Sequence, residues 1–169
     1  AKERYPDYEG PMIVHRLDQS TSGVLLIAKN KRAHEALQRQ FISRTVKKSY
    51  VALLDGIVEC QHGEIHLHLK LDYDNRPRQM VAQDGRPAHT IYDVEGYDAG
   101  RTRVRFYPVT GRTHQLRVHA AHTDGLATPI VGDDIYGTSA ERLMLHAETI
   151  EFMHPITEEQ ISLTSKAEF

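Results

Sequence analysis

Residues 14–29 read Val-His-Arg-Leu-Asp-Gln-Ser-Thr-Ser-Gly-Val-Leu-Leu-Ile-Ala-Lys and join a polar, charged loop to an apolar run. The run over residues 23–29 follows a Ser-Gly turn, which predicts a short buried strand. Asn30 then predicts the cap of a helix that extends to about Arg44. The apolar face of this helix would consist of Ala33, Leu37 and Phe41.

The rest of the chain is richer in strands than in helices. Strands are predicted over residues 47–56 and 64–71, on both sides of the turn Asp84-Gly85, over residues 101–107 and as a pair within residues 143–155. In residues 101–107, Thr102, Val104 and Phe106 share one face, and Arg101, Arg103, Arg105 and Tyr107 share the other. A second helix is predicted over residues 113–122, with Leu116, Val118 and Ala120 inward. This pattern predicts a single α+β domain, with a mixed, mainly antiparallel sheet flanked by a few helices.

Composition excludes several classes of protein. The 169 residues are 40% hydrophobic and 26% charged, which is ordinary globular usage and argues against disorder. No apolar run approaches the roughly 18 residues of a membrane span, so no membrane partner is expected. The single cysteine, Cys60, cannot form a disulfide within the chain and favours a reducing, cytoplasmic location. The start, Ala-Lys-Glu-Arg, has no Met and no targeting signature, which suggests part of a longer chain.

Net charge is −2, but the charges are unevenly distributed. Residues 16–117 hold 17 Lys and Arg against 11 Asp and Glu, whereas residues 118–169 hold 2 against 9. An acidic total can therefore conceal a basic surface, which is what a polyanion such as RNA requires. The same charges could equally be solvated faces of helices and strands, and charge alone does not decide between these interpretations.

The eleven histidines raise the question of a metal site. His119 and His122 are three residues apart in the second predicted helix, and His66 and His68 share one face of a strand. No HExxH or CxxC motif accompanies them, and their spacing does not complete a ligand set. We therefore expect surface or hydrogen-bonded histidines and no metal site. A histidine-based metallohydrolase stays open as an alternative hypothesis.

Asp18 is the most notable candidate for chemistry, since a carboxylate held in a loop next to a rigid strand can act as a nucleophile. An aspartate followed by Gln-Ser-Thr-Ser-Gly can also cap its own turn, and spacing alone favours that interpretation.

The segment HRLDQSTSGVLLIAK (residues 15–29) resembles the signature of RNA pseudouridine synthases of the RluA type. Further segments resemble the family in the same order. They are KKSYVALLDG (47–56), RPRQMV (76–81), GRPAHTIYDV (85–94), PVTGRTHQLRVHAAH (108–122), PIVGDDIYG (129–137) and RLMLHAETIEFMHP (142–155). The resemblance implies the family's α+β catalytic fold over residues 1–169. It also implies that the family's usual strands upstream of His-Arg-Leu-Asp are missing, so that the domain is N-terminally incomplete.

The resemblance implies a role for each matching residue. Asp18 corresponds to the catalytic aspartate, Tyr50 to the tyrosine that packs on the target base, and Arg117 to the basic residue that pairs with the aspartate. Arg16 corresponds to the arginine that fills the space of the flipped nucleotide, and Leu145 to the apolar residue lining the base pocket. Further RNA-binding positions are expected at His15, Thr21, Arg76, Arg112 and His114.

The implied reaction is the isomerisation of uridine to pseudouridine in rRNA or tRNA stem-loops, by a monomer that needs no cofactor. The carboxylate could attack the sugar C1′ or the ring C6, and the sequence leaves both routes open. A neighbouring guanidinium would keep a partly buried carboxylate ionised. Replacing a flipped base by Arg16 would recover part of the unstacking cost. The alternative is a catalytically silent RNA-binding or chaperone module on the same fold.

Overall fold

The computed structural model describes Glu3 and residues 12–169, and these residues form a sheet of eight strands with two helices. The strands are β1 Ser22–Gly23, β2 Lys47–Leu54, β3 His62–Leu71, β4 Gln79–Val81, β5 Arg86–Asp98, β6 Arg101–Pro108, β7 Leu145–Met153 and β8 Gln160–Thr164. The helices are α1 Lys31–Ile42 and α2 Gln115–Ala121. No helix among the described residues is long and apolar enough to cross a membrane.

The strands lie side by side in the order β1-β7-β2-β6-β5-β3-β4, and β8 also pairs with β7. The pairing of β1 with β7 is parallel, and the other strand pairs are antiparallel. The predicted α+β class with a mixed, mainly antiparallel sheet is therefore confirmed.

Helix α1 begins where the sequence predicts. The Oδ1 of Asn30 accepts a hydrogen bond from the backbone N–H of Ala33 at 2.8 Å, which caps the first turn. The predicted apolar face packs against Ile150 and Phe152 of β7. The helix ends at Ile42, slightly before the predicted end, because Arg44 has a left-handed φ of 58° that a continuing helix cannot accept.

The main core lies between the inner face of the sheet and helix α2. Thr102, Val104 and Phe106 are completely buried, as the alternation in β6 predicts. Leu116, Val118 and Ala120 of α2 join this core, as predicted, although Gln115, Arg117 and His119 are buried as well. The helix is shorter than expected at its start, since His114 has a left-handed φ of 53° and the helical residues begin after it.

The apolar run over residues 23–29 is not the buried strand that the sequence predicts. Sheet pairing stops at Gly23, and the next backbone N–H groups find three unrelated acceptors. Val24 donates to the Ala147 carbonyl oxygen at 2.9 Å, Leu26 to His15 Nε2 at 2.8 Å, and Ala28 to the Met12 carbonyl oxygen at 2.8 Å. A short apolar run does not specify its acceptors, so the prediction fails here.

Gly23 makes an unusually close backbone approach to β7. Its φ is +114°, and a Cβ built on it would lie 2.2 Å from the Ala147 carbonyl oxygen. That distance is far inside van der Waals contact, and the neighbouring atoms are backbone that cannot rotate away. Only glycine therefore fits at the end of β1.

We expect Gly23→Ala to lower the free energy of unfolding by about 3 kcal/mol or more, because it adds a backbone clash to an unfavourable φ. Gly100→Ala is the matched control, since Gly100 has a φ of +79° but nothing within 4 Å of its Cβ position. The control should cost only about 1 kcal/mol. Urea denaturation measures both values, and equal losses would contradict the role of the close approach.

Candidate active site

A cavity of about 480 Å³ opens where four segments of the chain meet. These segments are the loop 15–21, the C-terminal end of α1, the first half of β2 and the loop 108–113. Of the ten residues that the sequence singles out, seven line the cavity: His15, Arg16, Asp18, Thr21, Tyr50, Arg112 and Leu145. Its volume is within the usual range for small-molecule sites.

Asp18 lies half-buried in the wall of this cavity. Its carbonyl oxygen accepts a hydrogen bond from the N–H of Thr21 at 3.0 Å, so the backbone makes a tight turn here. In the part of the chain that the structure describes, no hydrogen bond or ion pair engages its carboxylate. The turn is therefore closed by the backbone. Asp18 does not act as the side-chain cap that spacing alone favours.

The loop that carries Asp18 is fixed at both ends. His15 Nε2 accepts from the N–H of Leu26, and its ring stacks on Phe41 with centroids 4.9 Å apart. Ser22 Oγ lies 2.8 Å from His146 Nδ1. Burial, followed by the positive charge of Lys48, lowers the pKa of His15 to about 4. His15 is thus a neutral support of the loop at physiological pH.

Tyr50 reaches the same cavity from β2. In the pairing of β2 with β7, Ser49 is opposite Thr149 and Tyr50 is opposite Ala147, so the register shifts by one residue at this point. Such bulges turn side chains and are frequent beside active sites. Burial, and then the negative charge of Asp18, raise the pKa of Tyr50 to about 12. Its hydroxyl therefore keeps its proton at neutral pH.

Cationic side chains surround the apolar floor that buried Leu145 provides. Arg16, Arg44, Lys48 and Arg112 all line the cavity. The ammonium of Lys48 is 5.9 Å from the centre of the Phe41 ring, and burial lowers its pKa. Arg112 is oriented by the bond from its Nε to the Pro87 carbonyl oxygen at 3.0 Å. The arrangement suits an anionic ligand with a flat apolar part.

Arg117 is buried, but it does not form the expected ion pair with Asp18. Its Nε and Nη2 donate to the two carboxylate oxygens of Asp133 at 2.8 and 2.6 Å, and Nη2 also contacts Asp134 at 2.9 Å. Asp133 is completely buried, so it takes the bidentate position that the guanidinium fork favours. The charge of Asp18 adds a weaker attraction that helps raise the pKa of Arg117.

Asp133 is held in place independently of Arg117. Its Oδ1 accepts from the backbone N–H groups of Ile135 and Tyr136, both at 3.0 Å. Burial alone would raise the pKa of Asp133, but the bonds from Arg117 and the two amides outweigh burial and lower it. Asp133 is therefore ionised and orients Arg117.

Three further residues expected at the site, Thr21, His114 and Arg76, lie in different surroundings. Thr21 Oγ1 is buried with no hydrogen-bond partner among the described residues. His114 precedes α2, and its Nδ1 is 2.9 Å from Tyr136 Oη, which accepts from the N–H of Gln79. Tyr136 Oη thus links His114 to the backbone of β4. Arg76 is outside the cavity in an exposed segment, with its guanidinium 5.2 Å from the Tyr73 ring.

The sequence did not single out Gln115 or Lys48 as site residues. Gln115 Oε1 accepts from Thr110 Oγ1 at 2.7 Å and from the N–H of Arg112 at 3.0 Å, while its Nε2 donates to the His89 carbonyl oxygen at 2.9 Å. Gln115 therefore shapes the loop 108–113. A polar residue inside a helix motif was the available signal, but its bonds to His89 and Thr90 link segments about 25 residues apart in sequence.

The two histidines that sequence spacing placed together on α2 are separated in the structure. His119 is completely buried, and both its ring nitrogens are without a hydrogen-bond partner among the described residues. His122 follows the helix, and its Nδ1 accepts from the N–H of Asp124. Burial, followed by the charges of His66 and His89, lowers the pKa of His119 to about 4.

Residues 1–122 match the family model described as RNA pseudouridylate synthase. The chain belongs to this family.

Individual relatives agree with the family assignment. The chain is 47% identical over 165 residues to the dual-specificity RNA pseudouridine synthase RluA of Vibrio parahaemolyticus, covering 91% of this chain and 64% of that protein. It is 42% identical to the Escherichia coli protein of the same name, covering 96% and 76%. The chain thus spans somewhat less than two thirds of the Vibrio relative.

Solved structures show the same fold. Human RNA pseudouridylate synthase domain containing 1 superposes with a TM-score of 0.83 at 32% identity, covering 99% of this chain and 72% of that one. Human RNA pseudouridylate synthase domain containing 4 gives 0.78 at 25% identity, covering 98% and 75%.

We expect Asp133→Asn to lower the free energy of unfolding by about 3 kcal/mol, because it leaves the buried guanidinium of Arg117 without its main counterion. Asp134→Asn is the control, since the side chain of Asp134 is 61% exposed, and it should cost less than about 1 kcal/mol. Because the pKa of Asp133 is lowered, its contribution is present at neutral pH and is lost as the pH falls through that lowered value. Urea denaturation at several pH values tests this, and equal losses in both variants would contradict it.

His119 predicts a second pH effect. Its folded-state pKa of about 4 is below the ordinary 6.5, so the unfolded chain binds the proton more readily between these values. Stability should therefore fall as the pH is lowered from 6.5 to 4, and His119→Leu should reduce this slope. The exposed His68 provides the control His68→Leu, which should leave the slope unchanged. Thermal unfolding across this pH range is the measurement, and an unaltered slope in His119→Leu would refute the prediction.

Proposed function

We propose that this protein isomerises uridine to pseudouridine in RNA, with Asp18 as the attacking carboxylate. The observation that carries the proposal is the meeting of Asp18 and Tyr50 in one cavity, where burial and the Asp18 charge together raise the pKa of Tyr50 to about 12. Family membership and the relatives' names support the same reaction.

The proposed reaction balances without any added reagent. The bond between N1 and the sugar C1′ breaks, the uracil turns in the cavity, and a bond forms between C5 and C1′. The C5 proton is lost and N1 gains a proton, so substrate and product have the same composition. Asp18 acts as a nucleophile, at C1′ or at C6, and is released unchanged.

Tyr50 and Leu145 would hold the uracil. The Tyr50 ring offers a flat surface for stacking, and its protonated hydroxyl can exchange a proton with the turning base. Leu145 is buried beneath the cavity and supplies apolar contact.

The arginine and lysine side chains that line the cavity would bind the RNA backbone, and Arg16 would take the place of the flipped base. Arg16 is exposed, two residues from Asp18, and a guanidinium there can enter the stack that the base has left. Arg112 and Lys48 would contact phosphates, which makes binding sensitive to salt. Thr21 Oγ1 and the His114 ring would bond to the base or ribose, with His15 supporting the loop. We assign Arg76 to RNA outside the cavity.

Arg117 would act on Asp18 through its charge. Asp133 fixes the guanidinium, whose positive charge attracts the Asp18 carboxylate.

We also propose the RNA substrates, the oligomeric state and the cellular compartment of the protein. The substrates would be stem-loops of rRNA, tRNA or both, which agrees with the words "dual-specificity" in the relatives' names. A monomer suffices, because one chain supplies the residues that line the cavity. The free, exposed thiol of Cys60 fits a reducing cytoplasm.

Release of tritium from RNA labelled at C5 of uridine tests the proposal. In the full-length protein, Asp18→Asn should lower the rate at least about 10³-fold, since the nucleophile is lost. RNA binding should be equal or tighter, because a negative charge is removed near phosphates.

Asp98→Asn is the matched control, because Asp98 is an exposed carboxylate in a hairpin outside the cavity. It should leave the rate unchanged. Equal release from the wild type and Asp18→Asn would refute the role of Asp18. Binding without any pseudouridine in the wild type would instead indicate the silent RNA-binding module.

A further inference from the structure

Two histidines and a glutamate converge on the outer face of the sheet. His66 of β3 is directly opposite His89 of β5, and their rings stack with centroids 4.0 Å apart. Glu64 is two residues from His66 and points to the same face. One carboxylate oxygen, Glu64 Oε2, is 3.1 Å from His66 Nε2 and 2.9 Å from His89 Nε2.

The spacing of these three atoms suits a single metal ion. Zinc binds histidine nitrogen and carboxylate oxygen at about 2.0–2.2 Å, so the ligand atoms of a tetrahedral site are about 3.3 Å apart. The two measured nitrogen–oxygen distances are close to that value, and all three ligand atoms lie within 4.8 Å of one another.

We propose that Glu64, His66 and His89 form a surface site for a divalent transition metal of the zinc type, with water in the fourth position. Two imidazoles select such ions over magnesium or calcium, which prefer sites made of oxygen atoms. The side chains of Glu64 and His66 are 51% and 64% exposed, so an ion can enter directly from solvent.

The site is separate from the cavity, since none of its three residues is among the cavity lining. It is nevertheless joined to the cavity through the backbone of His89. The His89 carbonyl oxygen accepts from the N–H of Val109 at 3.0 Å and from Gln115 Nε2 at 2.9 Å, and its N–H donates to Thr110 Oγ1 at 2.8 Å. An ion on His89 would thus stiffen the strand that holds the loop 108–113.

Isothermal titration of the untagged, metal-free protein with zinc chloride tests the proposal. We expect saturable binding of one zinc ion that is weakened at least tenfold in His66→Ala, in His89→Ala and in Glu64→Gln. Magnesium chloride should give no saturable heat. Cobalt titration should produce the strong visible absorption of a four-coordinate ion, and each of the three variants should lose it.

His68→Ala is the matched control, because His68 is an exposed histidine on the same face of the same strand. It should bind zinc as the wild type does. Circular dichroism checks that the variants fold, and Glu64→Gln keeps the shape of the side chain if an alanine variant does not. Absence of saturable zinc binding in the wild type would overturn the proposal. Equal weakening in His66→Ala and His68→Ala would overturn it as well.

Discussion

The close backbone contact between Gly23 and Ala147 determines the geometry of the candidate active site. At Ala147 the loop that carries Asp18 is joined to β7 on one side, and Tyr50 of β2 is paired to β7 on the other. The two residues on which the proposed chemistry depends are therefore positioned by the same residue of the sheet. A side chain at position 23 would separate them, since its Cβ would overlap the Ala147 carbonyl oxygen.

A small part of the uneven charge of the chain is paired within the fold. Arginines of the basic part pair with carboxylates of the acidic part, as Arg117 does with Asp133 and Arg105 with Glu148. Arg16, Lys48 and Arg112 have no carboxylate partner among the described residues, and all three border the cavity. These cations give the cavity wall a positive charge, which suits a polyanion.

Sequence patterns correctly predicted the helices and strands that depend on residues close together in the sequence. Asn30 caps α1 through its own side chain, and the alternation in β6 buries every second residue. The strand prediction over residues 23–29 was wrong because the hydrogen-bond acceptors of this segment, among them Ala147 and His15, are brought to it by tertiary contacts. A local sequence pattern does not contain those contacts.

Resemblance to the family identified most of the sequence-predicted residues that line the cavity. It could not predict which side chain each of them bonds to. Arg117 was expected to pair with Asp18, whereas Asp133 is the buried carboxylate that its guanidinium reaches in two places. Likewise, spacing along one strand drew attention to His66 and His68. The ring that stacks on His66 belongs to His89, which is 23 residues away and opposite it only because β3 pairs with β5.

The pairing of β1 with β7 also has a consequence for biosynthesis. Ser22 and His146 form a hydrogen bond with each other although they are 124 residues apart in the chain. During translation Asp18 therefore leaves the ribosome long before the strand that fixes its loop. The nascent chain cannot assemble the cavity until β7 has emerged, so a protein proposed to modify RNA is synthesised next to a large RNA without a formed site. Assembly of the site during synthesis therefore depends on a contact between segments far apart in the chain.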